Sequence, residues 1–145
     1  MNPKDFFTAE QKEQIEAAIT EAEKLASGEI RLHVDRNCKG EVLQQAVKIF
    51  TKMGMDKTEL RNGVLFYLSI EDRKFAVIGD KGINEAVPAD FWDTIYQTIV
   101  GYFKNKKYAD GLCWAIVEAG KQLGVQFPIQ RDDTNELTNE ISFEK

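Results

Sequence analysis

A chain of 145 residues with 43% hydrophobic and 30% charged residues has a globular composition, and a single domain is expected. A net charge of -5 and a pI near 5.0 argue against duplex nucleic acid and anionic membrane surfaces as partners, because both are held by an excess of Lys and Arg. The opening segment MNPKDFFTAEQKEQ lacks a signal-peptide core, and no apolar run reaches the ~18 residues of a membrane span. Cys38 and Cys113 stand far apart in different contexts, so the expectation is a cytoplasmic protein with two reduced thiols.

The spacing Thr8-Ala9-Glu10-Gln11 fits a capping box that opens a helix. Ile15, Ala18, Ile19, Ala22, Leu25 and Ala26 continue it as an apolar stripe, with Gly28 as the expected stop. Glu29–Asp35 then alternates strictly, which predicts a half-buried strand with Ile30, Leu32 and Val34 on one face and Arg31, His33 and Asp35 on the other. After a polar loop, Arg36–Gly40, a second helix is predicted with Leu43, Ala46, Val47, Phe50 and Met53 inward, ending at Gly54. The loop Met55–Gly63 carries Asp56, Glu59 and Arg61.

Val64–Ile70 and Phe75–Ile78 are β-rich runs around the tight turn Glu71-Asp72-Arg73-Lys74, which is a hairpin signal. Asn62-Gly63 precedes it and Gly79-Asp80-Lys81-Gly82 follows, so glycine-bearing loops bracket the hairpin where backbones can cross or hold a ligand. An irregular run Ile83–Pro88 leads to a third helix with the stripe Trp92, Ile95, Ile99 and Phe103, Pro88 being suited to its first turn. Asp110 is the expected cap of a fourth helix, with Leu112, Ala115, Ile116, Ala119 and Leu123 inward and Gly124 and Pro128 at its close. Residues 1–128 form the expected domain; 129–145 are a polar tail with five acids against two bases, in which Ile141-Ser142-Phe143 fits a short edge strand. Helices on both faces of a small mixed sheet of about four strands, containing the antiparallel hairpin, give a three-layer α/β/α sandwich.

Carboxylates gather in the loops at the sheet ends: Asp35, Asp56, Glu59, Asp80, Glu85, Asp90, Asp93 and Asp110. Hard cations such as Ca²⁺ and Mg²⁺ take several oxygen ligands, and Asp- and Gly-rich loops supply them. Two carboxylates at ~5 Å repel by about 3 kcal/mol at an effective dielectric near 20, a cost that a cation removes. No segment has the EF-hand pattern, so a site must be assembled from separate loops. The alternative for these acids is service as solvated residues and helix caps. His33, the single histidine, reads as a strand residue under a helix or at a sheet edge. Cys38 lies in a loop without the arginine of a cysteine phosphatase, and Gly79–Gly82 is not a Walker loop. The aromatics sit at core spacing.

The order Asn62-Gly63 with an apolar run, Asp72-Arg73 in the turn, a strand entering a glycine loop, and the aromatic-x-Asp-Gly motif Tyr108-Ala109-Asp110-Gly111 resembles the TPM domain family over roughly residues 6–128. The expectation is a stand-alone, bacterial-type TPM domain, whereas many members of the family carry a leader or membrane anchor. The resemblance implies an α/β/α sandwich and binding of divalent cations, usually Ca²⁺. It carries acidic loop positions over to Asp80 and Asp110; Asp56, Glu59 and Asp93 join the candidate metal set by their loop placement. The expected function is a Ca²⁺- or Mg²⁺-binding module in which the loops near Asp56, Asp80 and Asp110 converge and regulate the binding of an unidentified protein partner. The alternatives are a metal-dependent acid phosphatase, with Arg61, Arg73 and Lys81 as phosphate clamps, and a domain with a purely structural metal.

Overall fold

The computed structural model describes residues 2–128 and 140–144. Helix α1 spans Ala9–Leu25 and opens on the expected box: Thr8 Oγ1 accepts from the Gln11 N–H at 3.1 Å, and Gln11 Oε1 accepts from the Thr8 N–H at 2.9 Å. Strand β1, Ile30–Asp35, leads to α2, Val42–Lys52. Gly54, at φ +76, reverses the chain into the short turn Met55–Lys57, a left-handed geometry that glycine adopts without a side-chain clash. The hairpin is β2, Val64–Ser69, with β3, Lys74–Gly79. Helices α3 (Lys81–Ala86), α4 (Phe91–Lys104) and α5 (Tyr108–Gln126) follow, and β4 is Ser142–Phe143.

The sheet order is β3-β2-β1-β4, with β2 and β3 antiparallel and β1 parallel to both β2 and β4. This is the expected mixed four-stranded sheet with its antiparallel hairpin. Ile30, Leu32, Val34, Val64, Phe66, Leu68, Phe75 and Val77 point to one face, where α1, α4 and α5 cover them with Ile15, Ile19, Ile99, Leu112 and Ile116. On the other face Leu65, Tyr67 and Ala76 meet Ala46, Ile49 and Phe50 of α2 together with Met55. Three layers result, each strand periodicity matching a separate apolar cluster.

Several local expectations are corrected. The alternation of β1 is real, but the strand is not half-buried: Arg31, His33 and Asp35 are 8%, 7% and 4% exposed, because α2 and β4 close over the polar face. In α2 the inward residues are Ala46, Ile49 and Phe50, whereas Leu43 and Val47 are about half exposed. The helix lies over the edge of a narrow sheet, so these two side chains overhang β3 instead of burying against a further strand. Gly28 is not the stop of α1, which ends at Leu25; its missing side chain admits the Asn62 carbonyl instead. The run after Gly82 is helical as α3, and α4 begins at Phe91, three residues beyond Pro88. Asp110 does not cap α5: the helix starts at Tyr108 with Lys107 in the cap position, and it continues through Gly124 to Gln126.

Of the tail, residues 129–139 and 145 lie outside the described residues. Ser142 and Phe143 pair in parallel with His33 and Val34, which places the tail strand at the β1 edge.

Candidate functional site

Asp80 ends the hairpin and starts α3. Its own N–H donates to the Gly63 carbonyl at 2.9 Å, extending the β2–β3 ladder by one pair. Its Oδ1 accepts from the Lys81 N–H at 2.7 Å as a helix cap. Arg61 then grips the same carboxylate with both arms of its guanidinium, Nε to Oδ2 at 2.7 Å and Nη2 to Oδ1 at 2.9 Å. This fork is the strong geometry for an arginine–carboxylate pair. The Asp80 side chain is 7% exposed and that of Arg61 47%, so the pair runs from a buried anion to a solvent-facing cation.

The loop crossing that brings them together depends on Gly82. Its N–H donates to the Arg61 carbonyl at 2.8 Å, and any β-carbon there would overlap the Leu60 carbonyl. The glycines around the hairpin therefore permit the close passage that the sequence suggested. Arg61 itself sits at φ +52, a left-handed position that a bulky residue seldom adopts. Asp80 holds the guanidinium pKa above its usual value, through the hydrogen bonds first and the charge second, and the Asp56 charge adds to this.

Asp56 and Asp80 both line one cavity of about 430 Å³, together with Arg61, Asn84 and Trp92. Asp56 Oδ1 is buried without a hydrogen-bond partner among the described residues. Trp92 closes the side of the cavity next to β3: its indole N–H donates to Asn84 Oδ1 at 2.8 Å, and Asn84 Nδ2 in turn donates to the Gly79 carbonyl at 2.9 Å. The ring packs directly over Gly79, where a β-carbon would overlap it.

The other candidate acids stand elsewhere. Glu59 is exposed on the loop before Arg61. Asp93 is exposed on the first turn of α4 and faces a separate groove with Leu43, Val77 and Tyr96. Asp110 is exposed on the first turn of α5, where its charge, after burial, helps to raise the pKa of the Cys113 thiol. Its helix starts beside the hairpin turn: Tyr108 shares a cavity with Ser69, Arg73 and Lys74, at the beginning of β3. Asp80 is at the far end of that six-residue strand, roughly 20 Å away at ~3.3 Å per residue. The loops of Asp56 and Asp80 meet, but the Asp110 loop does not join them. Among the described residues no group of three or more His, Cys, Asp or Glu side chains is placed to hold a metal.

A second polar cluster escaped sequence reading. The Asp35 carboxylate binds His33 Nε2 at 2.6 Å through Oδ1, while its Oδ2 accepts from the Tyr67 hydroxyl at 2.6 Å and Gln45 Nε2 at 3.4 Å. His33 Nδ1 meets Ser142 Oγ at 2.8 Å, which ties β4 to the network. Burial pushes the Asp35 carboxyl up, but the bonds from His33, Tyr67 and Gln45 and the His33 charge outweigh it, and the pKa falls below its usual value. Burial first, then the Asp35 bond, drives the Tyr67 phenol well above its usual value. The strict alternation of Glu29–Asp35 was the available signal, since it set three polar side chains in a row on one face. What it lacked was the cover that turns such a row into a buried network.

No helix among the described residues is long and apolar enough to cross a membrane. No curated protein matches the chain. Among solved structures it is similar to the BA42 protein of the psychrophilic bacterium Bizionia argentinensis, with 43% identity, a TM-score of 0.91 and 97% of each chain covered. It shares its fold with the N-terminal domain of a protein from P. gingivalis at 17% identity and a TM-score of 0.68, covering 88% of this chain and 83% of that one. An N-terminal domain from Corynebacterium glutamicum, at 13% identity and a TM-score of 0.62, covers 97% of this chain and 81% of its own. The family model described as the TPM domain matches residues 1–122, and with that match the chain belongs to the TPM domain family.

Proposed function

We propose that this TPM domain binds a divalent cation, Ca²⁺ or Mg²⁺, in the cavity between Asp56 and Asp80, and that the occupied site regulates a binding surface. The observation that carries the reading is the buried, unpartnered Asp56 Oδ1 in the same cavity as the Asp80 carboxylate. A buried carboxylate oxygen without a donor is costly and asks for a cation. Asp56, Asp80 and nearby carbonyls would hold the ion, with water completing the shell that Ca²⁺ or Mg²⁺ requires.

Arg61 now supplies positive charge to Asp80. A metal must therefore displace or reorient the guanidinium, and this exchange is the conformational step by which occupancy reaches the surface. A ligand shifts such an equilibrium only by its differential affinity for the two arrangements. Two observations favour a binding module over a phosphatase. Arg61, a candidate phosphate clamp, is committed to Asp80, and His33, the lone histidine, is engaged with Asp35, its neighbour on β1.

The test is a Ca²⁺ and Mg²⁺ titration of EDTA-stripped protein followed by amide NMR shifts. Saturable shifts in residues 55–63 and 79–84, weakened by about tenfold or more in both Asp56→Asn and Asp80→Ala, are expected; tenfold corresponds to about 1.4 kcal/mol. Asp56→Asn guards against the loss of the α3 cap in the second variant. No saturable shift up to millimolar metal removes the reading.

A further inference from the structure

At the opposite end of β3 from Asp80 lies a second cavity of about 360 Å³, in the size range of small-molecule sites. Its wall is aromatic and aliphatic. Phe75, Tyr96, Phe103 and Tyr108 are joined in a continuous set, stacked, edge to face or tilted, with Phe75 to Phe103 at 5.4 Å and Phe103 to Tyr108 at 4.9 Å between ring centroids. Phe6 continues the set from the chain's first turn, 5.2 Å from Tyr108.

The charge of this cavity runs against that of the molecule. Among the described residues Arg73, Lys74, Lys104 and Lys106 line it and no carboxylate does, in a chain with 24 acids and 19 Lys and Arg. Lys74 is partly engaged, with Nζ 3.2 Å from the Gly40 carbonyl and 4.0 Å from Asp72. Arg73 belongs to the hairpin turn, and Lys106 to the turn between α4 and α5. Both hold left-handed backbone, at φ +53 and φ +59, where glycine or asparagine fits with less strain. Two separate turns thus place a cation in an unfavoured conformation beside one aromatic cavity. Strain of that kind gathers at ligand clamps.

We propose that this cavity binds a small organic anion with an apolar body, its carboxylate or related headgroup held by Lys104, Lys106 and Arg73 and its body packed on Phe75, Phe103 and Tyr108. A rigid aromatic floor suits a flat or extended apolar body. A rim of cations on a cavity lined by no described carboxylate supplies the charge-assisted bonds that an anionic head requires. The Asp72-Arg73 turn and the Tyr108–Gly111 motif then serve the same pocket from two sides.

The experiment uses the full chain, titrated with decanoate, 4-phenylbutyrate and uncharged decan-1-ol and followed by amide NMR shifts. Saturable shifts confined to residues 68–75 and 96–108 with at least one acid, weakened about tenfold in decan-1-ol, are expected. The stronger of the two acids identifies an alkyl or an aryl body. The K104E/K106E variant should lose about tenfold in affinity, whereas the charge-matched K24E/K121E variant, altered on α1 and the far part of α5, should retain it. V100W, which fills the cavity while leaving the cations in place, should abolish binding. Equal affinity for decan-1-ol, equal losses in the two charge variants, or no saturable shift would overturn the proposal. The two sites stand at opposite ends of β3, so this outcome is independent of the metal titration.

Discussion

The two faces of β1 are buried to nearly the same extent by opposite means. Ile30, Leu32 and Val34 enter an apolar cluster under α1 and α5, where transfer of hydrocarbon from water does the stabilising. Arg31, His33 and Asp35 are buried on the other side, and for His33 and Asp35 stability rests on satisfied hydrogen bonds to Tyr67, Gln45 and Ser142. The first face tolerates changes of pH and is sensitive to lost volume. The second tolerates changes of volume poorly only where a partner is lost, and it carries the titrating groups. A single alternating strand therefore gives the domain two kinds of stability at once.

The comparison can be broken at its apolar side first. Leu32→Ala should cost about 2–5 kcal/mol, through lost transfer energy and the cavity left behind. Urea melts should show a lower midpoint at unchanged slope, with the same loss at about pH 3, on the acid side of the Asp35 titration, as at about pH 7. On the polar side Asp35→Ala should cost about 3 kcal/mol, because the Tyr67 hydroxyl and His33 Nε2 lose a buried partner. Tyr67→Phe should cost about 1 kcal/mol, and Gln45→Ala, whose bond to Asp35 is 3.4 Å long, no more than about 0.5 kcal/mol. If Leu32→Ala and Asp35→Ala show the same pH dependence, the distinction between the faces fails.

The pH profile sharpens the contrast. Asp35 has a folded pKa below its ordinary 3.8, so its contribution is complete above that value and is lost as pH falls through the folded pKa. Tyr67 has a folded pKa above its ordinary 10.0, so its contribution is complete below that value and is lost as pH rises beyond it. Stability should therefore decline on an acid limb below about pH 4 and an alkaline limb above about pH 10. Asp35→Asn should flatten the acid limb and Tyr67→Phe the alkaline one, as read by urea midpoints across the range.

What was legible in the sequence follows the same division. Periodicity and turn chemistry are local, and they located the hairpin, α1 with its box, and the layer order. Features set by partners distant in sequence were harder to read. Leu43 and Val47 fit the inward stripe of α2, but the narrow sheet left them uncovered. Asp110 has the chemistry of a cap, yet the turn at Lys106 starts the helix two residues earlier. At the candidate site, the glycine loop and Asp80 were visible as signals. The Arg61 fork was not, because it depends on a crossing permitted by Gly82 and a left-handed arginine. The separation of Asp80 from Asp110 was equally hidden, since loop acids at opposite ends of one strand look alike in a linear chain.

The ring over Gly79 has an optical consequence. Trp92 lines the cavity of Asp56 and Asp80, whereas Trp114, the other indole, lies on α5 near Tyr102 with ring centroids 6.5 Å apart. Replacing Trp114 with Phe leaves one tryptophan, which red-edge excitation selects over the tyrosines and which is already hydrogen-bonded through Asn84 to the end of β3. The emission of that single residue reports on the neighbourhood of Arg61 and Asp80, so movement of the guanidinium can be followed in unlabelled protein, in real time and at low concentration.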